Sequence, residues 1–127
     1  MRLDPYRRVD GTAFTATQAD VVAARGQPGH AARNDVGLNE LDYGDVVFRF
    51  QDNGRLEEVT LQATVLHLGA IAVPFAALAA FVRDHDPEVF ERVGFIVSPA
   101  FGLAFDPDDA PWVTALAAHC IDSWRAL

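Results

Sequence analysis

The stretch YGDVVFRFQDNGRLEEVTLQATV, residues 43–65, decides the fold. Val46, Phe48 and Phe50 alternate with Asp45, Val47, Arg49 and Gln51, and Val59, Leu61, Ala63 and Val65 alternate with Glu58, Thr60, Gln62 and Thr64. A period of two puts each set on one face of a strand. Val, Phe and Thr suit a pleated, half-buried surface. Between the runs, Asp52-Asn53-Gly54 supplies the positive φ that a tight hairpin turn needs. The stretch predicts two long antiparallel strands with one apolar and one polar face. The polar face carries Asp45, Arg49, Glu58, Thr60, Gln62 and Thr64. Such a face is solvated by default and becomes a contact surface where a partner meets it.

On the N-terminal side, Thr15 and Gln18 have the spacing of a capping box, which predicts a helix from near Ala16 to the glycine cap at Gly26. Gln27-Pro28-Gly29 ends it. His30–Glu40 reads as a polar loop, and Asp35, Glu40, Asp42 and Asp45 make a local acidic cluster. On the C-terminal side, Pro74 opens a helix with Phe75, Leu78, Ala79 and Val82 on one stripe. Asp86-Pro87-Glu88 reads as a second helix start, stopped by Gly94. Phe95–Val97 and Leu103–Phe105 read as strands. Val113, Leu116, Ala117, Cys120, Ile121 and Trp124 recur at helical spacing and predict a last helix over residues 111–125. No repeat, linker or low-complexity segment divides the chain, so residues 1–127 read as a single domain. The expected architecture is α+β, an antiparallel sheet of about four strands with helices packed on one face.

Composition narrows the function. The chain has 127 residues and is 50% hydrophobic, enough to bury a core. It has no run of 18 apolar residues and no basic-then-apolar start, so neither a membrane span nor a signal segment is expected. Cys120 is the only cysteine, which excludes an internal disulfide and fits a reducing, cytoplasmic setting. Acidic residues number 18 against 10 basic ones, all of them arginine, for a net charge of −8. That balance argues against nucleic acid and against an anionic membrane surface. It favours steering of a basic protein partner.

Motifs for chemistry are sparse. His119 and Cys120 are neighbours, and on a helix they point about 100° apart, which is no nucleophile–base pair. Cys120 is assigned to the core and His119 to its boundary. Asp106–Asp109 lacks the ligand pattern of a calcium loop and reads as a helix cap. No phosphate-cradling loop is present, and neither Ser98 nor Ser123 lies in a nucleophile elbow. No catalytic residue, metal site or cofactor is expected.

Three segments carry a resemblance. Thr15-x-x-Gln-Ala-Asp-Val-Val-x-x-x-Gly-Gln-Pro28, Leu41-Asp-Tyr43-Gly-Asp-Val-Val-Phe-Arg-Phe50 and Gly54-Arg-Leu-Glu-Glu-Val-Thr-Leu61 resemble small bacterial immunity-type proteins over residues 11–65. The helix-plus-hairpin layout is also similar to the outer-membrane assembly lipoprotein BamE and to β-lactamase-inhibitor-like modules. The resemblance implies a protein that blocks a cognate toxin by covering its active site and does no chemistry itself. A basic toxin such as a nuclease suits the charge. The expected contact surface is Asp35, Glu40, Asp42, Asp45, Arg49, Glu58 and Thr60. The alternative is a small enzyme or ligand-binding domain with a pocket between helices and sheet, built on His67, His85 and Asp106. A third, plainer reading is a structural subunit or a homodimer built through the sheet edge.

Overall fold

A computed structural model describes residues 1–127. The hairpin forms where the alternation places it. Strand β6 (Val46–Phe50) pairs antiparallel with β7 (Leu56–Gln62), and Gly54 takes φ +88° in the turn. Val46, Phe48, Phe50, Val59 and Leu61 are buried on one face. The pairing shifts register at Arg49/Phe50, so Arg49 faces Glu58 while Phe50 faces Leu56. Glu57 is the extra residue of this β-bulge. The bulge lets Leu56 and Val59 both face the core and turns the two acids between them, Glu57 and Glu58, to the other side.

The rest of the sheet departs from expectation. The order is β10-β11-β12-β13-β7-β6-β5-β4, eight strands, every neighbouring pair antiparallel. The expected four-stranded α+β sheet with helices on one face is therefore wrong, and the molecule is mostly β. Two segments account for the difference. Residues 30–40, read as a loop, form the edge hairpin of β4 (His30–Arg33) and β5 (Asn39–Asp42). Its turn is tied by Asn34 Oδ1, which accepts from Val36 N at 3.1 Å and Leu38 N at 2.9 Å. Residues 112–116, read as helix, form β13 (Trp112–Leu116), which fills the centre of the sheet between β12 (Leu103–Phe105) and β7. Sheet pairing overrode the helical spacing there, and only Cys120–Arg125 is helical (α3).

The segment after Asp86 is also strand, not helix. β10 (Phe90–Arg92) and β11 (Phe95–Ser98) join through Val93 and Gly94, both at positive φ. Asp86 is 2% exposed and acts as a buried tie. Its carboxylate accepts from Ser98 Oγ at 2.7 Å, Ala100 N at 3.0 Å and Glu88 N at 2.9 Å.

The apolar face of the sheet is covered by a second layer. Helix α1 (Gln18–Arg25) is capped by Thr17, two residues after the expected Thr15, because Thr17 and Asp20 form the capping box. It contributes Val21 to the core and lays the Arg25 guanidinium over Phe48, 5.0 Å from the ring centroid. Helix α2 (Phe75–His85) follows Pro74 as expected and buries Leu78 and Val82 completely. The hairpin β8–β9 (Val65–Leu68, Ile71–Pro74) adds Leu66 and Val73. A three-stranded N-terminal sheet, β1–β3 (Leu3–Asp4, Arg8–Val9, Thr12–Ala13), adds Leu3 and Val9. Each fully buried Phe or Leu contributes on the order of 1.5–3 kcal/mol relative to exposure. No helix is long and apolar enough to cross a membrane.

Candidate functional site

The opposite face of the sheet is different in character. One cross-strand row runs Asp42–Val47–Thr60–Thr114–Ala104–Val97 through β5, β6, β7, β13, β12 and β11. The row beside it runs Glu40–Arg49–Glu58–Leu116. Near one end of these rows Val97, Ala104 and Leu116 join Cys120 and Ile121 of α3 in a small second core, so α3 roofs that part. The part over β5, β6 and β7 stays open and polar.

Arg49 is the hub of the open part. Its Nε donates to Glu40 Oε2 at 2.6 Å, and Nη1 donates to Thr60 Oγ1 at 2.6 Å. Glu58 Oε2 lies 3.6 Å from the same Nη1. Thr60 and Thr114 share a hydrogen bond of 2.7 Å across β7 and β13. Burial pushes the Glu58 carboxyl above its ordinary value, and the Arg49 guanidinium opposes only part of that. An acid raised in this way weakens the fold as pH climbs through and above the carboxylate range.

Arg49, Glu58, Thr60 and Thr114 floor a cleft of about 290 Å³. Trp112, Trp124 and Phe95 form its aromatic walls, and Asp106 and Asp109 stand on its rim. Phe95 and Trp124 brace one another, with ring centroids 5.3 Å apart. The chemical content is a rigid floor, broad aromatic surface and an excess of carboxylates. That combination accepts a cationic side chain: the π faces and the acids both attract it.

Of the residues expected at a contact surface, the structure gathers Glu40, Arg49, Glu58 and Thr60 into this one patch. Asp42 lies in the adjacent row, where its carboxylate already accepts from Gly44 N at 2.8 Å. Asp35 and Asp45 sit exposed in the turns before β5 and β6, outside the patch. The alternative set is not brought together. His67 borders a surface hollow with Arg2, Asp4 and Asp10; His85 packs on Phe81; Asp106 belongs to the aromatic cleft. Trp112, Thr114 and Trp124 were missed because their segment read as one helix. Trp112 and Thr114 do alternate with Val113 and Ala115, but the strand is buried from Val113 to Leu116, so the contrast that marks a strand is lost.

Next to the cleft, Cys120 donates its thiol to Glu57 Oε2 at 2.9 Å and lies 3.3 Å from the Glu57 carbonyl oxygen. Burial, this hydrogen bond and the charges of Glu57 and Glu58 all push the thiol far above its usual range. A thiol so held is neutral and a poor nucleophile. At pH 8 a disulfide reagent will label it at least about 100-fold more slowly in the folded protein than in denaturant. The sign of the linkage follows. The raised folded value adds stability that is complete below the ordinary thiol pKa, about 8.5, and is lost as pH rises above it. Thermal denaturation between about pH 8 and pH 10 checks this: Cys120→Val will show a shallower decline than the parent protein.

Comparison with protein-family models, curated proteins and solved structures gives no match to this chain.

Proposed function

We propose that the chain is a non-catalytic, cytoplasmic binding protein that captures a basic protein on the open sheet face. We further propose that the partner is a toxin whose active site it covers, as the resemblance of residues 11–65 to immunity-type proteins implies. The observation that supports this best is the cleft itself, where Glu58, Asp106 and Asp109 outnumber the single Arg49 beside three aromatic rings, and that Arg49 is already bound to Glu40. Aromatic anchors held on a stiff frame are what a tight interface needs, because little side-chain freedom is lost on binding. The acidic excess speeds encounter with a basic surface and rejects acidic ones.

The test uses the protein encoded by the neighbouring gene, produced as a catalytically disabled variant where it is toxic. Isothermal titration at low salt is expected to give a one-to-one complex of nanomolar order. Raising salt from about 0.05 to 0.5 M is expected to weaken it at least tenfold, chiefly by slowing association. Failure to form any complex, or a complex indifferent to salt, would contradict the reading.

A further inference from the structure

The β7 bulge turns Glu57 towards the start of α3, where its side chain is almost wholly buried at 5% residue exposure. Ligand-type atoms of Glu57, His119 and Cys120 all lie within 4.8 Å of one another. Cys120 Sγ is 2.9 Å from Glu57 Oε2, and His119 Nε2 is 2.6 Å from Oε1. The histidine approach is close but not aligned for an N–H to donate, and Oε1 is left buried with no hydrogen-bond partner. The nearest fixed positive charge is Arg55, whose Nε is 3.5 Å from Oε1 and whose side chain is half exposed. A buried carboxylate oxygen in this position is stabilised by a cation placed among the three groups.

We propose that Glu57, His119 and Cys120 form a three-ligand site for a zinc-class divalent cation, with the fourth coordination position facing the adjoining cavity. Thiolate, imidazole and carboxylate together suit zinc, whereas calcium and magnesium take oxygen donors. Bonds of roughly 2.0–2.3 Å in a tetrahedron set ligand atoms about 3.3–3.6 Å apart. The 2.6 and 2.9 Å contacts end on the two different oxygens of Glu57 and are each less than about 1 Å short of such a separation, and the ligand atoms of all three residues already lie within 4.8 Å of one another. His119 can make most of that movement, since its side chain is one-third exposed. As sulfur binds the ion, the thiol proton leaves to water, and Arg55 turns outward from Oε1. The cavity on the fourth side, about 410 Å³, is bordered by Gln51, Ser123 and Trp124 and has room for water or a partner's donor group. Trp124 also walls the aromatic cleft, so the ion would sit against the same face that meets the partner.

The experiment titrates the chelator-stripped full chain with Zn²⁺ against a chromogenic competitor, and with Co²⁺ as a spectroscopic probe. The expected result is one ion per chain and, with Co²⁺, a sulfur-to-metal charge-transfer band. His119→Ala alters a partly exposed side chain and leaves the core untouched. It is expected to weaken Zn²⁺ binding at least 100-fold, while His30→Ala changes it less than twofold. Cys120→Ser is expected to abolish the charge-transfer band. No stoichiometric binding by the parent protein, or a loss of less than tenfold in His119→Ala, overturns the proposal.

Discussion

Replacing Phe48 with alanine will cost the fold about 3–5 kcal/mol and lower its melting temperature by roughly 10–20 °C. Phe48 is 1% exposed at the middle of β6. Tyr43 packs edge-on against it at 5.9 Å, and Arg25 of α1 covers its ring. Truncation opens a cavity under α1 and removes the surface on which Arg25 and Tyr43 rest. Tyr43 in turn donates to the Gly26 carbonyl at 2.9 Å and closes the end of α1, so helix and hairpin loosen together. A domain of this size has on the order of 5–15 kcal/mol in total, so the loss is a large share of it. Val36→Ala is the control. Val36 is 75% exposed, and the change should stay within about 0.5 kcal/mol. Urea denaturation followed by tryptophan fluorescence measures both. A Phe48→Ala cost below about 1 kcal/mol would show that the β6–α1 contact does not organise the core.

The same residues explain what could be read before the fold was known. Residues 46–50 and 56–62 have one dry face and one wet one, and that contrast writes a period of two into the side chains. Gly54 supplies the turn. Strand β13 has no such contrast. Val113 and Ala115 face the main core, while Leu116 joins the core under α3 and Thr114 is buried against Thr60. A strand covered on both sides loses its alternation, and Val113, Leu116, Ala117 and Cys120 then mimic a helical stripe. β4 fails for the opposite reason. It is exposed along its whole length, so its apolar pattern is empty. Asp86 was misread because a capping acid and a buried tie look alike in sequence. Only the fold brings Ser98 and the Ala100 amide to it.

The site divides along the same line. Glu40, Arg49, Glu58 and Thr60 were legible because they lie on the wet face of strands whose register follows from the hairpin. Their aromatic neighbours were not, because Trp112 comes from the part of residues 111–125 that is strand, Trp124 was assigned to the apolar stripe of the helix, and Phe95 comes from a strand whose place in the sheet was unknown. Glu57 was hidden by the bulge. Strict alternation assigns it to the core face, and the one-residue shift sends it to the other side beside Cys120.

Altering the cleft is expected to have the largest effect on binding. Asp109 rims it, and its side chain makes no hydrogen bond within the chain, so Asp109→Lys reverses a charge without untying the turn. Trp112 stands half-buried on β13 and offers its ring to the cleft. Anchors of this kind typically carry 2 kcal/mol or more each, and the two substitutions combined should weaken a complex by about 100- to 1,000-fold. Asp45→Lys, in an exposed turn outside the patch, provides a charge-matched control and should change affinity only a few-fold.

The most direct measurement is the dissociation constant of the neighbouring-gene protein for Trp112→Ala/Asp109→Lys beside that for Asp45→Lys, with circular dichroism verifying that both remain folded. The open sheet face as the binding surface predicts a collapse in affinity for the first and near-parent binding for the second. Parent-like affinity in the cleft variant, or an equal loss in both, would contradict it.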